Sequence, residues 1–330
     1  MTQIQQEKEI TQQNSISNIH FKYNLVNSIK QQQKCHSIIF NQISSMLIVT
    51  CNENLKIFQF KQGNIKQISF INGNLYNNNC LLFINLQNQF ISSNSNGQIR
   101  FWSLNLLKNN KSLQCINNDQ KINCMLKNRE ENLLVTGQAY QITFWVRNNQ
   151  WKFLKSFEVD EEVHGLTLNE SSNMILACGR FNYILVIKKI INDWILTKSF
   201  HILEGGVRIL FYQENKFAFQ PWCGNFLQIY TIDAKNEISL IQEVKIKNQQ
   251  MKTCAFYSPL QFIQNKSIIL NKNQNCLILI ILKENGELIN QQTIQFHFPY
   301  VYGQLSNDGN YLVSWERHIK KIQIWQYTQF

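Results

Sequence analysis

Residues Asn96–Leu104 read NGQIRFWSL, Ala139–Arg147 read AYQITFWVR and Lys320–Tyr327 read KKIQIWQY. Each is a loop running into a short stretch of β-favouring residues with Trp at its centre. Four weaker copies complete the series: LKIFQF from Leu55, ILVIKK from Ile184, LQIYTI from Leu227 and LILIIL from Leu277. The fourth place of each six-residue segment is Phe58, Trp102, Trp145, Ile187, Tyr230, Ile280 and Trp325, separated by 44, 43, 42, 43, 50 and 45 residues. A period of that size holds four short strands and their turns, which is one blade of a β-propeller.

The rest of each period follows one plan. An apolar run ending in a small or polar loop precedes the segment, as in LIVTCNEN (Leu47–Asn54), LLVTGQAY (Leu133–Tyr140) and YLVSWERH (Tyr311–His318). Earlier still stands another short strand, such as SIIF (Ser37–Phe40), RILFY (Arg208–Tyr212) or CAFY (Cys254–Tyr257). A fourth strand follows, nearly repeated in QWKFLKSF from Gln150 and DWILTKSF from Asp193. Helix is excluded, because Asn, Ser or Gly interrupts the apolar stretches every six to ten residues and no 3.6-residue stripe develops. The expected fold is all-β: a seven-bladed propeller over 20–330, with blades at about 33–75, 76–119, 120–160, 161–203, 204–247, 248–297 and 298–330. The last blade supplies three strands. Residues 20–29, HFKYNLVNSI, are expected to supply its fourth and close the ring, with Phe21, Tyr23, Leu25 and Val26 giving apolar contacts. Residues 1–19, Gln-rich and without apolar periodicity, are expected to be a disordered or loosely docked tail.

The Trp-centred segments resemble the third strand of WD40 repeats, and the resemblance covers about residues 20–330. It implies a WD40-type propeller that serves as a platform for protein complexes. Asn52 and Asn96 stand where the family has a turn Asp, the Gly-His dipeptide is absent, and Ser103, Val146 and Gln326 follow the Trp residues in place of Asp. The family's Asp–His–Ser–Trp hydrogen-bond network is therefore expected to be mostly lost, leaving packing to fix the blades. The Asn/Gln-rich composition is similar to that of divergent WD40 proteins of ciliates, and reads as the codon bias of an AT-rich genome.

Net charge is +11, but the basic residues form only doublets such as Lys188-Lys189 and Lys320-Lys321. Nucleic acid remains a partner that the charge allows, and an RNA- or ribonucleoprotein-associated propeller is the second reading. A ubiquitin-ligase substrate receptor is the third, with the Trp-Asp-x-Arg motif of that class absent. None of the nine cysteines forms C-x-x-C; Cys35, Cys80, Cys124 and Cys254 are expected as buried thiols at the starts of first strands, in an intracellular, cytoplasmic or nuclear setting. No run approaches the length of a membrane helix, and the N-terminus has no signal-peptide core.

No nucleophile elbow, phosphate loop or H-E-x-x-H is present. The six histidines are scattered over several periods and no metal or cofactor is expected. Glu53, Glu162 and Glu316 are the carboxylates of the channel-facing loops, too dispersed to act as acid–base partners. The expected role is a non-catalytic protein-interaction scaffold without a small-molecule substrate. Its binding face lies where first strands begin and second strands turn into third. Those positions are bland in blades one to three and six (Asn52, Asn54, Asn94, Asn96, Gln138, Asn271, Asn273). Blades four, five and seven carry Arg180, Phe181, Tyr183, Arg208, Trp222, Tyr300, Tyr302, Trp315 and Arg317. Aromatic residues and Arg dominate interface hot spots, although Tyr183 and Tyr300, beside strands, also suit packing between blades.

Overall fold

The computed structural model describes residues 21–72, 78–109, 111–246 and 260–330. These form seven antiparallel four-stranded sheets. Blade one comprises Cys35–Phe40, Met46–Cys51, Asn54–Lys61 and Asn64–Ile71; blade two Asn78–Ile84, Gln89–Asn94, Ile99–Ser103 and Gln114–Ile116; blade three Ile122–Lys127, Leu133–Gln138, Gln141–Asn148 and Gln150–Glu158. Blade four comprises Val163–Leu168, Met174–Gly179, Tyr183–Ile190 and Asp193–His201; blade five Gly206–Gln213, Lys216–Pro221, Phe226–Ile232 and Ile238–Lys245. Blade six comprises Gln261–Ile263, Ile268–Asn273, Cys276–Leu282 and Leu288–Gln295; blade seven Val301–Leu305, Tyr311–Glu316 and Lys321–Gln329, joined by Phe21–Lys30. The first strand of each blade touches that of the next, and blade seven's touches blade one's, so the sheets close into a ring around a channel. The CAFY segment, with Cys254, lies outside the described residues, as do residues 1–19. Among the described residues Gln261–Ile263 pairs with the second strand of blade six.

Seven apolar clusters fill the seven gaps between blades. The fourth-place residues explain the repeat. Phe58, Trp102, Trp145, Ile187, Tyr230 and Ile280 are buried, and Trp325 is half-buried, each packing into the gap before its own blade. A blade is wet on its outermost strand and dry on its inner three, so the apolar signal is strongest in the strands the repeat exposes to neighbours.

Part of the expected loss of the hydrogen-bond network does not occur. Trp102, Trp145 and Trp325 donate through Nε1 to Ser92, Thr136 and Ser314, at 2.9, 3.2 and 2.9 Å. The second strand places this hydroxyl two residues on from the one that pairs with the Trp, so the Trp–Ser/Thr half survives without the Asp and His. Buried indole N–H groups are satisfied there rather than by packing alone.

Turns between first and second strands use Asn where Gly is scarce. Asn41, Asn128 and Asn169 each accept two backbone N–H groups four and five residues ahead. Ser44, Glu131 and Ser172 then take left-handed conformations with φ of 53°, 55° and 55°. One turn that demands glycine is at Gly97 (φ 78°), where a Cβ would stand 2.0 Å from the Asn118 carbonyl oxygen.

The N-terminal strand pairs antiparallel with the last strand from Phe21↔Gln329 to Lys30↔Lys321. Phe21 and Tyr23 are buried between blades six and seven, and the Tyr23 hydroxyl donates to the Gly309 carbonyl at 2.6 Å. Leu25 and Val26 differ from expectation: both are about half exposed. A bulge between Leu25 and Asn27 breaks the two-residue alternation, so the apolar face ends after Tyr23. Among the described residues no helix is long and apolar enough to cross a membrane.

Candidate partner-binding rim

One end of the ring is built from the residues before each first strand and from the loops between second and third strands. Backbone bonds tie these two sets together: Asn52 N–H donates to Lys34 O, Arg180 to Glu162, Trp222 to Gly205 and Arg317 to Tyr300. The pairing fixes which side chains share the face, because each loop is clamped to the chain entering its own blade.

Two sites on this rim combine cations with aromatic rings. Between blades four and five, the Arg180 guanidinium lies 5.3 Å from the Trp222 ring centre, and Arg180 also meets Glu162 at 3.7 Å. The chain passes so tightly here that a Cβ at Gly205 would stand 2.7 Å from the carbonyl oxygens of Gly179 and Arg180. That backbone approach is what brings Arg180 beside Trp222. Leu203, in the same crossing, is fully exposed. Between blades seven and one, Tyr300 sits between two cations, with Arg317 at 5.1 Å and Lys34 at 5.6 Å from its ring. Burial, then the charge of Arg317, lowers the Lys34 pKa.

Of the other expected site residues, Phe181, Arg208, Tyr302 and Trp315 are buried and Tyr183 is half-buried. Phe181 is buried and stacks on half-buried Tyr183 at 4.4 Å, and the Tyr183 hydroxyl donates to Asp160. Trp315 is buried and donates to the Gln31 carbonyl, where the closing strand crosses into blade one. Tyr302 is buried against Trp315. Arg208 is buried in the channel wall and donates to Lys272 O at 3.0 Å. In the first-strand row it replaces the smaller Cys80, Cys124 and Gly165, which pair with Ser93, Gly137 and Cys178 as Arg208 pairs with Gln220. Conversely, Tyr140, Leu203 and Phe298 are exposed at this end and were missed. Tyr140 stands in a quoted second–third strand loop and was legible by position; Leu203 was not, since an apolar residue between strands reads as core.

The channel below holds a cavity of about 350 Å3 lined by first-strand residues of all seven blades. Its ionisable lining is His36, Lys121, His164 and Arg208 with Cys80, Cys124 and Tyr302, and no carboxylate. Burial and then Lys34 lower the His36 pKa to about 4; burial and then Arg180, Lys121 and Arg208 lower that of His164 to about 3. Both imidazoles are therefore neutral at pH 7, although Glu162 lies 3.4 Å from His164 Nε2. Cys80 and Cys124, expected in the core, line this cavity and are half-buried, and burial raises the Cys80 thiol to about 12.

No protein-family model matches the sequence, and no curated protein matches it. Among solved structures, a chain from the "Crystal Structure of Mitotic Checkpoint Complex" superposes with a TM-score of 0.73 over 93% of both chains, at 15% identity. The chain thus has the fold of a seven-bladed β-propeller, and a likeness at that identity extends to the fold alone.

Proposed function

We propose that this chain is a divergent WD40-type, non-catalytic platform for protein complexes, binding its partners through the rim at blades four, five and seven. The observation that carries the reading is the exposed Arg180 guanidinium against half-buried Trp222, with fully exposed Leu203 two residues before Gly205 in the same crossing. An apolar side chain left fully in water on the same crossing as a guanidinium–indole pair has the composition of an interface centre. Burying fully exposed Leu203 would favour association by roughly 1.5–3 kcal/mol. The structural neighbour, a chain of the Mitotic Checkpoint Complex, supports a role of this kind. Affinity purification of a Trp222→Ala, Arg317→Ala double variant tests it. At least a tenfold loss of the principal co-purifying protein is expected, with an unchanged melting temperature, because both side chains lie on the rim rather than between blades. Full recovery of that partner would remove the proposal. Recovery of nucleic acid in place of protein, lost as salt is raised, would favour the alternative that the net charge allows.

A further inference from the structure

Beside Tyr300 the rim gathers three side chains that the repeat plan does not use. His297 follows the last strand of blade six, Glu316 ends the second strand of blade seven, and His318 stands in the turn after it. Histidines assigned by sequence to different periods thus meet at one carboxylate. A ligand atom from each of the three lies within 4.8 Å of those of the other two. His297 Nδ1 is 2.9 Å from Glu316 Oε1, and the two imidazole rings are 4.6 Å apart, tilted by 31°. Glu316 is buried and its carboxylate is held in place by the His297 amide, which donates at 2.7 Å. That bond accounts for the carboxylate; it does not account for two exposed imidazoles within reach of it.

We propose that His297, Glu316 and His318 form a surface site for a transition-metal dication of the zinc class, with its remaining coordination open to solvent. Two imidazoles and one carboxylate select such an ion over calcium or magnesium, which take oxygen ligands. Around zinc, with metal–ligand bonds of about 2.0–2.2 Å, ligand atoms lie roughly 3.3–3.5 Å apart. Reaching that spacing requires rotation of two side chains that are both exposed, while the buried carboxylate stays fixed. The ion takes the place of the proton between His297 Nδ1 and Glu316 Oε1, and the imidazole then carries its proton on Nε2. Arg317 stands between Glu316 and His318 in the chain, and with Lys34 it lies against Tyr300; its charge opposes the incoming cation. The expected affinity is therefore micromolar, well below that of a closed four-ligand site.

Titration calorimetry of the full chain with zinc chloride, and visible absorption with cobalt(II), test the assignment. One saturable equivalent is expected, and His297→Ala and His318→Ala should each weaken it at least tenfold without altering the far-ultraviolet spectrum. His201→Ala, in blade four, should leave it unchanged. Both primary variants are at the surface, so neither risks the fold as Glu316→Gln would. Absence of saturable binding up to millimolar zinc overturns the site. So does wild-type affinity in the His297→Ala, His318→Ala double variant, which would place the ion on the cysteines or on other histidines.

Discussion

Gln242 shows what a single side chain does in this ring. Its amide donates to the Leu288 carbonyl at 2.7 Å and accepts from the Leu288 N–H at 3.0 Å, so a side chain of blade five pairs with blade six as a strand would. The same two-point clamp joins Gln114 to Trp151, Gln261 to Leu305 and Gln292 to Tyr23. The glutamines that read as composition are, at these four positions, bonds between blades. Sequence could not reveal them, because a Gln on a strand looks like any solvent-facing residue and its partner lies a whole blade away. Gln242→Ala leaves a part-buried N–H and C=O without their partner, and should cost about 1–3 kcal/mol in urea unfolding; a change within error would mean that water replaces the clamp. The channel histidines give a second outcome at this scale. His36 and His164 stay neutral in the fold down to about pH 4 and 3, whereas in the unfolded chain they gain protons below about pH 6.5. Between those limits the unfolded state binds more protons, so stability falls as pH falls, by at most about 1.4 kcal/mol per pH unit for each histidine. Melting temperatures between pH 7 and 5, above the carboxylate range, should decline, and His164→Gln should flatten that slope. Parallel slopes in the two proteins would show that His164 is not held neutral.

At the scale of elements, the closing strand carries the most consequence for its length. Without Phe21–Lys30 the last strand of blade seven is an open edge, with a row of unpaired backbone groups. The strand also brings Phe21 and Tyr23 into the gap between blades six and seven, where the Gln292 clamp and the Gly309 carbonyl hold Tyr23. Tyr23→Ala should therefore cost about 3–5 kcal/mol, in the range for large aromatic deletions. Deleting residues 1–30 should lower the melting temperature sharply and promote aggregation, while deleting 1–18 should shift it by no more than a degree or two. Equal melting of the two truncations would mean that another segment closes the ring. The strand was legible in the sequence because three strands at one end of a repeat series require a fourth from the other. Its inner detail was not. Alternation extended the apolar face to Leu25, but the bulge that ends it leaves no mark in a segment of mixed residues.

Across the whole molecule, the period of the large third-strand residues, five aromatic and two isoleucine, was enough to give seven blades, because each must fill the gap before its own blade. The rim was only partly legible. Position in the repeat placed Arg180, Trp222, Tyr300 and Arg317 on the right face, but burial removed Phe181, Tyr302, Trp315 and Arg208, since the first strands and the crossing at Gln31 cover them. Position along a blade sets the height of a residue, and only the neighbouring blade decides whether it faces water. The binding face proposed for partners is this rim and not the opposite end of the ring. Photo-crosslinking residues at positions 140 and 203, both exposed on the rim, and at position 43, exposed in a turn at the other end, test it directly. Positions 140 and 203 should capture the same discrete protein partner and position 43 none. Capture of that partner from position 43, with none from 140 or 203, would contradict the claim.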